Sequence, residues 1–468
     1  MKTRVLRKAA VVLMVMVMLA GATVLALGAA DPGKFTDVTS HWAKAEITEL
    51  VNRGMFVGVS DTAFDPDGGM SRGMVATVLH RHDGYTAMGA NVFSDLPAGE
   101  WYTEGSVWAA NNGIIAVATA TTFNPNAPIT REELASALYN YARYLEAAPK
   151  QTLTSTTLRL STTTSVNDSG LLGYLRPYFE ADTGITLQIA SAGTGAAITA
   201  AKNGNADALL VHEEGSELGF INDGGYGELR VPFMYNYFII VGPADDPAGV
   251  KNAKSASEAF KKIAETNGAL FISRGDNSGT HVQEQNIWKA AGISPDPAVQ
   301  SWYVSIGGGM GAALNMAVER GAYVLTDKGT YLSHNAFKQN LLPVLYENAD
   351  MEMYNPYSII DVSTKRFGDT NATAAQTFLS WMTSAKAAGL INAYRATEGG
   401  DQLFFSMLTN LYSDSGKLSE GSWEAMNWAV GNGIVEGYPD STLKAGGGAT
   451  RAEVVTMLCR FLKLMENK

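Results

Sequence analysis

The stretch richest in chemistry is Ile272 to His281, ISRGDNSGTH. One arginine, two serines, one threonine and two glycines lie between an apolar run, Ala269 to Ile272, and a helical pattern from Val282 to Ala291. A strand-to-helix turn of this kind leaves backbone N–H groups unpaired at the positive end of the helix dipole, which suits an anion. Arg274 adds a planar, permanently charged fork that matches a tetrahedral oxyanion. Ser278 and Thr280 add hydroxyl donors, while Gly275 and Gly279 admit close backbone approach. The competing reading is an ordinary capped helix with a surface ion pair. Two further turns weigh against it: STTTS (Ser161 to Ser165) and SAGTG (Ser191 to Gly195) also follow strand patterns and offer hydroxyls. The three turns supply donors and one acid, Asp276, a composition suited to a fully ionised oxyanion.

The elements that must position these turns alternate. TLRLS, ITLQIAS and ADALLVH read as strands, with helices expected from about Asn167 to Asp182 and from about Ala196. Strand–helix alternation implies an α/β domain with a mostly parallel sheet, whose ligands sit beyond the carboxyl ends of its strands. GGGMG, Gly307 to Gly311, starts another helix and offers further N–H groups. His212, at a strand end, reads as a structural, hydrogen-bonded histidine, Asp207 as a turn residue and His281 as packing near a helix start. Trp288, Trp302 and Tyr303 read as core.

The chain has 468 residues, more than one domain usually holds, with 46 % hydrophobic and 17 % charged residues. Its net charge of −11 argues against nucleic acid as a partner. An anion site must therefore work against the global field. Cys459 is the one cysteine, so neither an internal disulfide nor a multi-cysteine metal site exists. No nucleophile–base pair, HExxH or phosphate-loop lysine motif is present, so no catalytic residue, metal or cofactor is expected. Residues 1–30 read as a signal peptide: a basic start is followed by an apolar run, with small residues for cleavage near Ala30 or Ala22. An uncleaved membrane anchor is the alternative.

Residues 35–82 and 93–141 repeat one another at an offset of 58 or 59. Phe35, Asp37, Trp42, Gly54, Phe64, Pro66 and Arg72 match Phe93, Asp95, Trp101, Gly113, Phe123, Pro125 and Arg131. Each copy reads helix, glycine turn, loop, helix, with Ser71 and Thr130 as N-caps. A third copy ends the chain, where Gly433 and Arg451 stand 18 residues apart, as do Gly54 and Arg72. These copies resemble S-layer homology modules, over 33–82, 91–146 and 410–465. The resemblance implies mainly α-helical units that pack in threes and bind secondary cell-wall polysaccharide, often through acidic pyruvate groups. It also implies that Arg131, Arg451 and Arg72 face the glycan acid. The first copy departs from the family with SRGM for TRAE, and the third lacks F-x-P. The tryptophans are expected to hold the modules together.

A Thr/Ser-rich linker, 147–156, leads into the insert. The segments TTTSVNDSGLL, SAGTGAAI, MYNYFIIVGPADDPAGV, FISRGDNSGTHVQEQNIWKAAG and NPYSII resemble tungstate-binding proteins of TupA type, the solute receptors of tungstate ABC importers. The resemblance covers 157–408 and implies a two-lobed periplasmic-binding-protein clamp (class II-like) that closes on the anion. MYNYFIIVGP would be one crossing strand, LPVLY to NPYSII the return, and the helical stretch after Asn371 would pack on the first lobe. Carried over, Thr164, Ser165, Thr194, Arg274, Ser278 and Thr280 would hold tungstate, with Thr163 and Gly279 as second choices. The implied partners are an ABC transporter permease and the wall polysaccharide, and the implied location is extracellular, at the cell wall. A molybdate or other oxyanion receptor, or a structural wall protein with a vestigial clamp, are the alternatives.

Overall fold

The computed structural model describes residues 32–146, 156–334, 339–348, 352–395 and 400–466. The expected signal peptide, and the expected linker save Thr156, lie outside those residues. The first two repeats fold as helix pairs, α1 (Lys44–Asn52) with α2 (Arg72–His82), and α3 (Thr103–Asn111) with α4 (Arg131–Glu146). Gly54 and Gly113 follow the first helix of each pair at φ +69° and +65°, a backbone that favours glycine. The aspartates of the F-x-D signature close the loops. Asp37 accepts from the N–H groups of Phe64 and Asp65, and Asp95 from those of Phe123 and Asn124.

The insert begins with β1 (Thr157–Thr163), α5 (Thr164–Asp168), α6 (Leu171–Thr183), β2 (Thr186–Ala192), α7 (Thr194–Lys202), β3 (Ala208–Val211) and α8 (Glu214–Asn222). The single helix expected over Asn167–Asp182 is two, broken at Gly170 (φ +84°). Then β4 (Gly227–Val241), buried along nearly its whole length, crosses into a second lobe. That lobe holds α9 (Ala256–Glu265), β5 (Phe271–Ser273), α10 (Gly279–Ala290), β6 (Tyr303–Ser305), α11 (Met310–Arg320), β7 (Tyr323–Asp327), α12 (Lys328–Ser333) and β8 (Val344–Tyr346). The chain returns through β9 (Tyr354–Val362), and α13 (Ala372–Met382) and α14 (Ala385–Ala393) pack on the first lobe. The strand order is β2-β1-β3-β9-β4-β7-β5-β6. Neighbours are parallel within each lobe, β1 with β2 and β3, and β5 with β6 and β7. The mostly parallel expectation fails at β4 and β9, which lie antiparallel. A strand that crosses between lobes and the strand that returns must run in opposite directions.

After β10 (Phe405–Ser406) and α15 (Met407–Leu411), the third helix pair, α16 (Trp423–Gly431) and α17 (Arg451–Glu466), closes a ring with the first two. Met70 donates its N–H to the Ala449 carbonyl (3.0 Å), Ile129 to Met70 (2.9 Å) and Ala449 to Ile129 (2.9 Å). The same rotation relates the arginines. Arg72 reaches the Phe123 carbonyl (3.1 Å), the Ala116 carbonyl and Glu133 (2.7 Å). Arg131 reaches the carbonyls of Leu443 (3.0 Å) and Glu436 (3.1 Å), and Glu453 (2.7 Å). Arg451 reaches the carbonyls of Phe64 (2.9 Å) and Val57 (3.0 Å), but Met74 stands where the other two find a glutamate. All three side chains are buried and lock each module to the next. The backbone N–H groups of these arginines, at the helix starts, donate to the carbonyls of Ala127, Gly447 and Gly68. The tryptophan expectation fails for Trp42, 64 % exposed, and Trp101, 58 %, but holds for Trp423, Trp108 and Trp428, which are buried in the core.

The ring sits directly on the clamp. Gly431 of α16 lies against Pro232 of β4, where a Cβ would stand 2.6 Å from the proline ring. Glu424 accepts from Gln376 (2.7 Å) of α13 and from the hydroxyls of Ser380 and Tyr139, and Arg143 pairs with Asp361 of β9 (3.3 Å). One continuous apolar core joins the helix pairs to the first lobe, while the second lobe has cores of its own.

Candidate functional site

The interlobe cavity is built from strand ends. β1 runs into α5, β2 into α7, β5 into α10, β6 into α11 and β7 into α12, and residues at all five helix starts line one space of about 240 Å³. Five N-termini pointing at one volume sum their partial positive charge and their unpaired N–H groups. Thr164, Ser165, Thr194, Arg274, Ser278 and Thr280 all lie on its wall, as do Thr163 and Gly279. The glycine-rich start of α11 contributes Gly309, Met310 and Gly311.

The arginine turn is held by its own residues. Arg274 donates to Asp276 (2.6 Å), and the other Asp276 oxygen accepts the Ser278 N–H (3.1 Å). Burial pushes the Asp276 carboxyl up, but the Ser278 bonds and the Arg274 charge outweigh it and hold it below the usual range. Gly275 is obligatory: its φ is +63°, and a Cβ would lie 1.9 Å from the Ser305 hydroxyl. Ser278 caps α10 by accepting from the His281 N–H (3.4 Å), and its own hydroxyl bonds the Asp276 carboxylate. Arg274 Nε is buried and has no hydrogen-bond partner among the described residues. A buried, charged donor without a partner is costly unless an anion accepts from it.

Four contributors lie outside the sequence-derived set: His212, Asp327, Asp168 and Thr330 also line the cavity. Asp327 caps α12 by accepting the Thr330 N–H (2.8 Å). Its turn, TDKGT, follows an apolar strand as the others do, but Asp327 and Lys328 break the hydroxyl-and-glycine pattern that marks them. His212 is hydrogen-bonded as expected, yet it belongs to the site: it lies 3.1 Å from the Ser165 hydroxyl and 2.9 Å from Asn355 Oδ1. Burial pulls its imidazole below the usual value, against the pull of Asp327 and of the Asn355 bond. Asp207, expected in a turn, is 1 % exposed and clamps Arg159 (2.7 Å) at the other end of the first lobe. Trp288 and Tyr303 are core, stacked around Phe271.

Residues 147–386 match the PBP superfamily domain. Residues 34–73, 92–135 and 416–455 match the S-layer homology domain. The tungstate-binding protein TupA of Peptoclostridium acidaminophilum is 42 % identical over 262 residues, 55 % of this chain and 88 % of that protein. TupA of Campylobacter jejuni is 38 % identical over 236 residues, 49 % of this chain and 84 % of that one. Among solved structures, the tungstate-binding protein TupA from Desulfovibrio alaskensis G20 is 40 % identical, with a TM-score of 0.48, over 53 % of this chain and 98 % of that one. The residues that line the five-helix cavity fall within 147–386, and the S-layer homology matches lie on either side. On these grounds the chain belongs to the PBP superfamily, as a TupA-type domain set among three S-layer homology modules.

Proposed function

We propose that the protein captures tungstate between its two lobes for an ABC importer and is held at the cell wall by its ring of modules. The observation that carries the reading is the Arg274 side chain on the wall of a cavity ringed by five helix starts and hydroxyl donors. This composition suits a small, fully ionised oxyanion and supplies binding without a catalytic group. The TupA names of the relatives favour tungstate, with molybdate the alternative of like size and charge. Calorimetric titration of the full chain with tungstate, molybdate, sulfate and phosphate tests this. Tight tungstate binding with sulfate and phosphate silent is expected, and silence for all four would leave the structural wall-protein reading.

For the wall, the ring supports an acidic glycan as ligand. Exposed Trp42 borders a second cavity of about 160 Å³ with Tyr438 and two ion pairs, Arg131 with Glu453 (2.7 Å) and Arg460 with Glu436 (2.9 Å). Arg451 adds a guanidinium that no carboxylate contacts among the described residues. Burial pulls it below its usual value, and the charges of Asp65 and Asp37 offset only part. Trp42→Ala should leave unfolding unchanged and weaken retention on isolated cell walls, as read by co-sedimentation. Equal retention would exclude this face.

A further inference from the structure

His212 lies where the two lobes and two cavities meet. On one side it lines the anion cavity; on the other it lines a space of about 480 Å³ shared with the third module. It also touches the second lobe, since a Cβ on Gly279 would stand 3.1 Å from its ring. Its hydrogen bonds define which nitrogen carries the proton. Asn355 donates from Nδ2 to Asn236 (2.7 Å) and Tyr357 (3.1 Å), so its Oδ1 faces His212 Nδ1 as an acceptor. Nδ1 therefore bears the hydrogen, and in the neutral ring Nε2 is a bare lone pair. The Ser165 hydroxyl, 3.1 Å away, must donate to it. Thr163, 3.0 Å from Ser165, then donates to Ser165 in turn. In this state Ser165 has no proton left for an oxyanion.

We propose that anion capture takes up a proton at His212, and that this reverses the Ser165 hydrogen bond to aim a donor at the anion. One proton passes from solvent to Nε2; Nε2–H then donates to Ser165, and the serine hydrogen turns to the ligand. His212 is thus a positioning residue that acts through Ser165. The inference rests on the oxyanion reading above.

The surroundings favour the coupling. Asp327 from the end of β7 and Glu213 from the adjacent loop favour the charged ring, while Arg274 opposes it. A dianion beside Arg274 would cancel that opposition. Asn355 and Tyr357 of β9, Ser165 of α5 and Gly279 of α10 face the ring without charge. Across the larger space stand Glu214, Arg230 and Glu436, with Arg230 already paired to Glu217 (2.5 Å) and Glu214 (3.4 Å). Because the ring borders both spaces, a proton can arrive from the module side while the lobes stay closed. Binding and protonation then assist each other by the same factor.

The test is calorimetric titration of the full chain with sodium tungstate in Tris and in HEPES, which differ in ionisation enthalpy, from pH 6.5 to 9. The expected result is uptake approaching one proton per anion. Affinity should fall towards tenfold per pH unit above the histidine's titration, and His212→Gln should lose both the uptake and the slope. Tight binding with no uptake at any pH would overturn the proposal, and this wild-type measurement stands whether or not the variant folds. A folded His212→Gln or His212→Asn that keeps the pH slope would overturn it too. Absence of binding at every pH would remove the receptor reading itself, and the proposal with it.

Discussion

Among the residues that line the anion cavity, Arg274 alone carries a permanent positive charge. Arg274→Ala should leave the fold intact and cost about 2–3 kcal/mol of tungstate affinity, roughly 30- to 150-fold, the worth of a buried charge-assisted bond. Titration calorimetry checks it, and unchanged affinity would remove Arg274 from the site. A second single-residue effect lies in the ring. Glu133 and Glu453 each accept from an arginine of the preceding module and from their own N-cap N–H, of Thr130 and Thr450. Met74 holds the same place opposite Arg451 and offers only its sulfur to Ser71 (3.5 Å). Met74→Glu should therefore complete the third clamp and raise stability by about 1–2 kcal/mol in denaturant unfolding. A loss would mean that the apolar packing of Met74 outweighs the new pair. These residues also show the limit of local reading. The arginine motif was legible three times over, but its role depends on what the next module places before it. His212 likewise depends on Asn355, in a strand more than a hundred residues later.

At the scale of elements, α10 carries the arginine turn at its start and a buried acid one turn further on. Glu284 accepts from Tyr303 (2.7 Å) and Trp288 (3.3 Å), with no cation paired to it among the described residues. Burial pushes its carboxyl up to about 7, which those hydrogen bonds only partly oppose. A folded-state value above the unfolded one means that the native protein holds this proton more tightly. Stability is then fullest below about pH 4.5 and falls as pH rises towards 7, by roughly 3 kcal/mol in all. Glu284→Gln should flatten that slope and melt higher than the parent at pH 8, as followed by circular dichroism at several pH values. An unchanged slope would clear Glu284 of the effect. The turn ahead of α10 was readable because Arg, Ser and Gly crowd into ten residues. The turn ahead of α12 was not, since an aspartate and a lysine disguise the same strand-to-helix geometry.

At the scale of the molecule, clamp and ring are not beads on a string. The first lobe shares its apolar core with all three helix pairs, whereas the second lobe is joined through the crossing strands. Differential scanning calorimetry should therefore show the ring and the first lobe melting together, with the second lobe separable and selectively raised by tungstate. Independent melting of the ring would contradict the shared core. Sequence alone placed the insert between the second and third repeats, but it could not show this fusion. The contacts that make it, such as Gly431 on Pro232, join residues that carry no motif.

The closed ring also has a consequence in time. Its last link, Arg451 on the Phe64 carbonyl, joins residues 387 positions apart, with the whole clamp made between them. During synthesis the first two modules must wait, with part of their apolar surface uncovered, until the final helix arrives. Loop closure over such a distance grows only slowly more costly with length, and a folded clamp shortens the gap further. A chain cut short before Arg451 could hold its lobes yet never shut the circle. Until α17 is made, the Phe64 carbonyl lacks its Arg451 partner and the circle of helix pairs stays open around a clamp already synthesised.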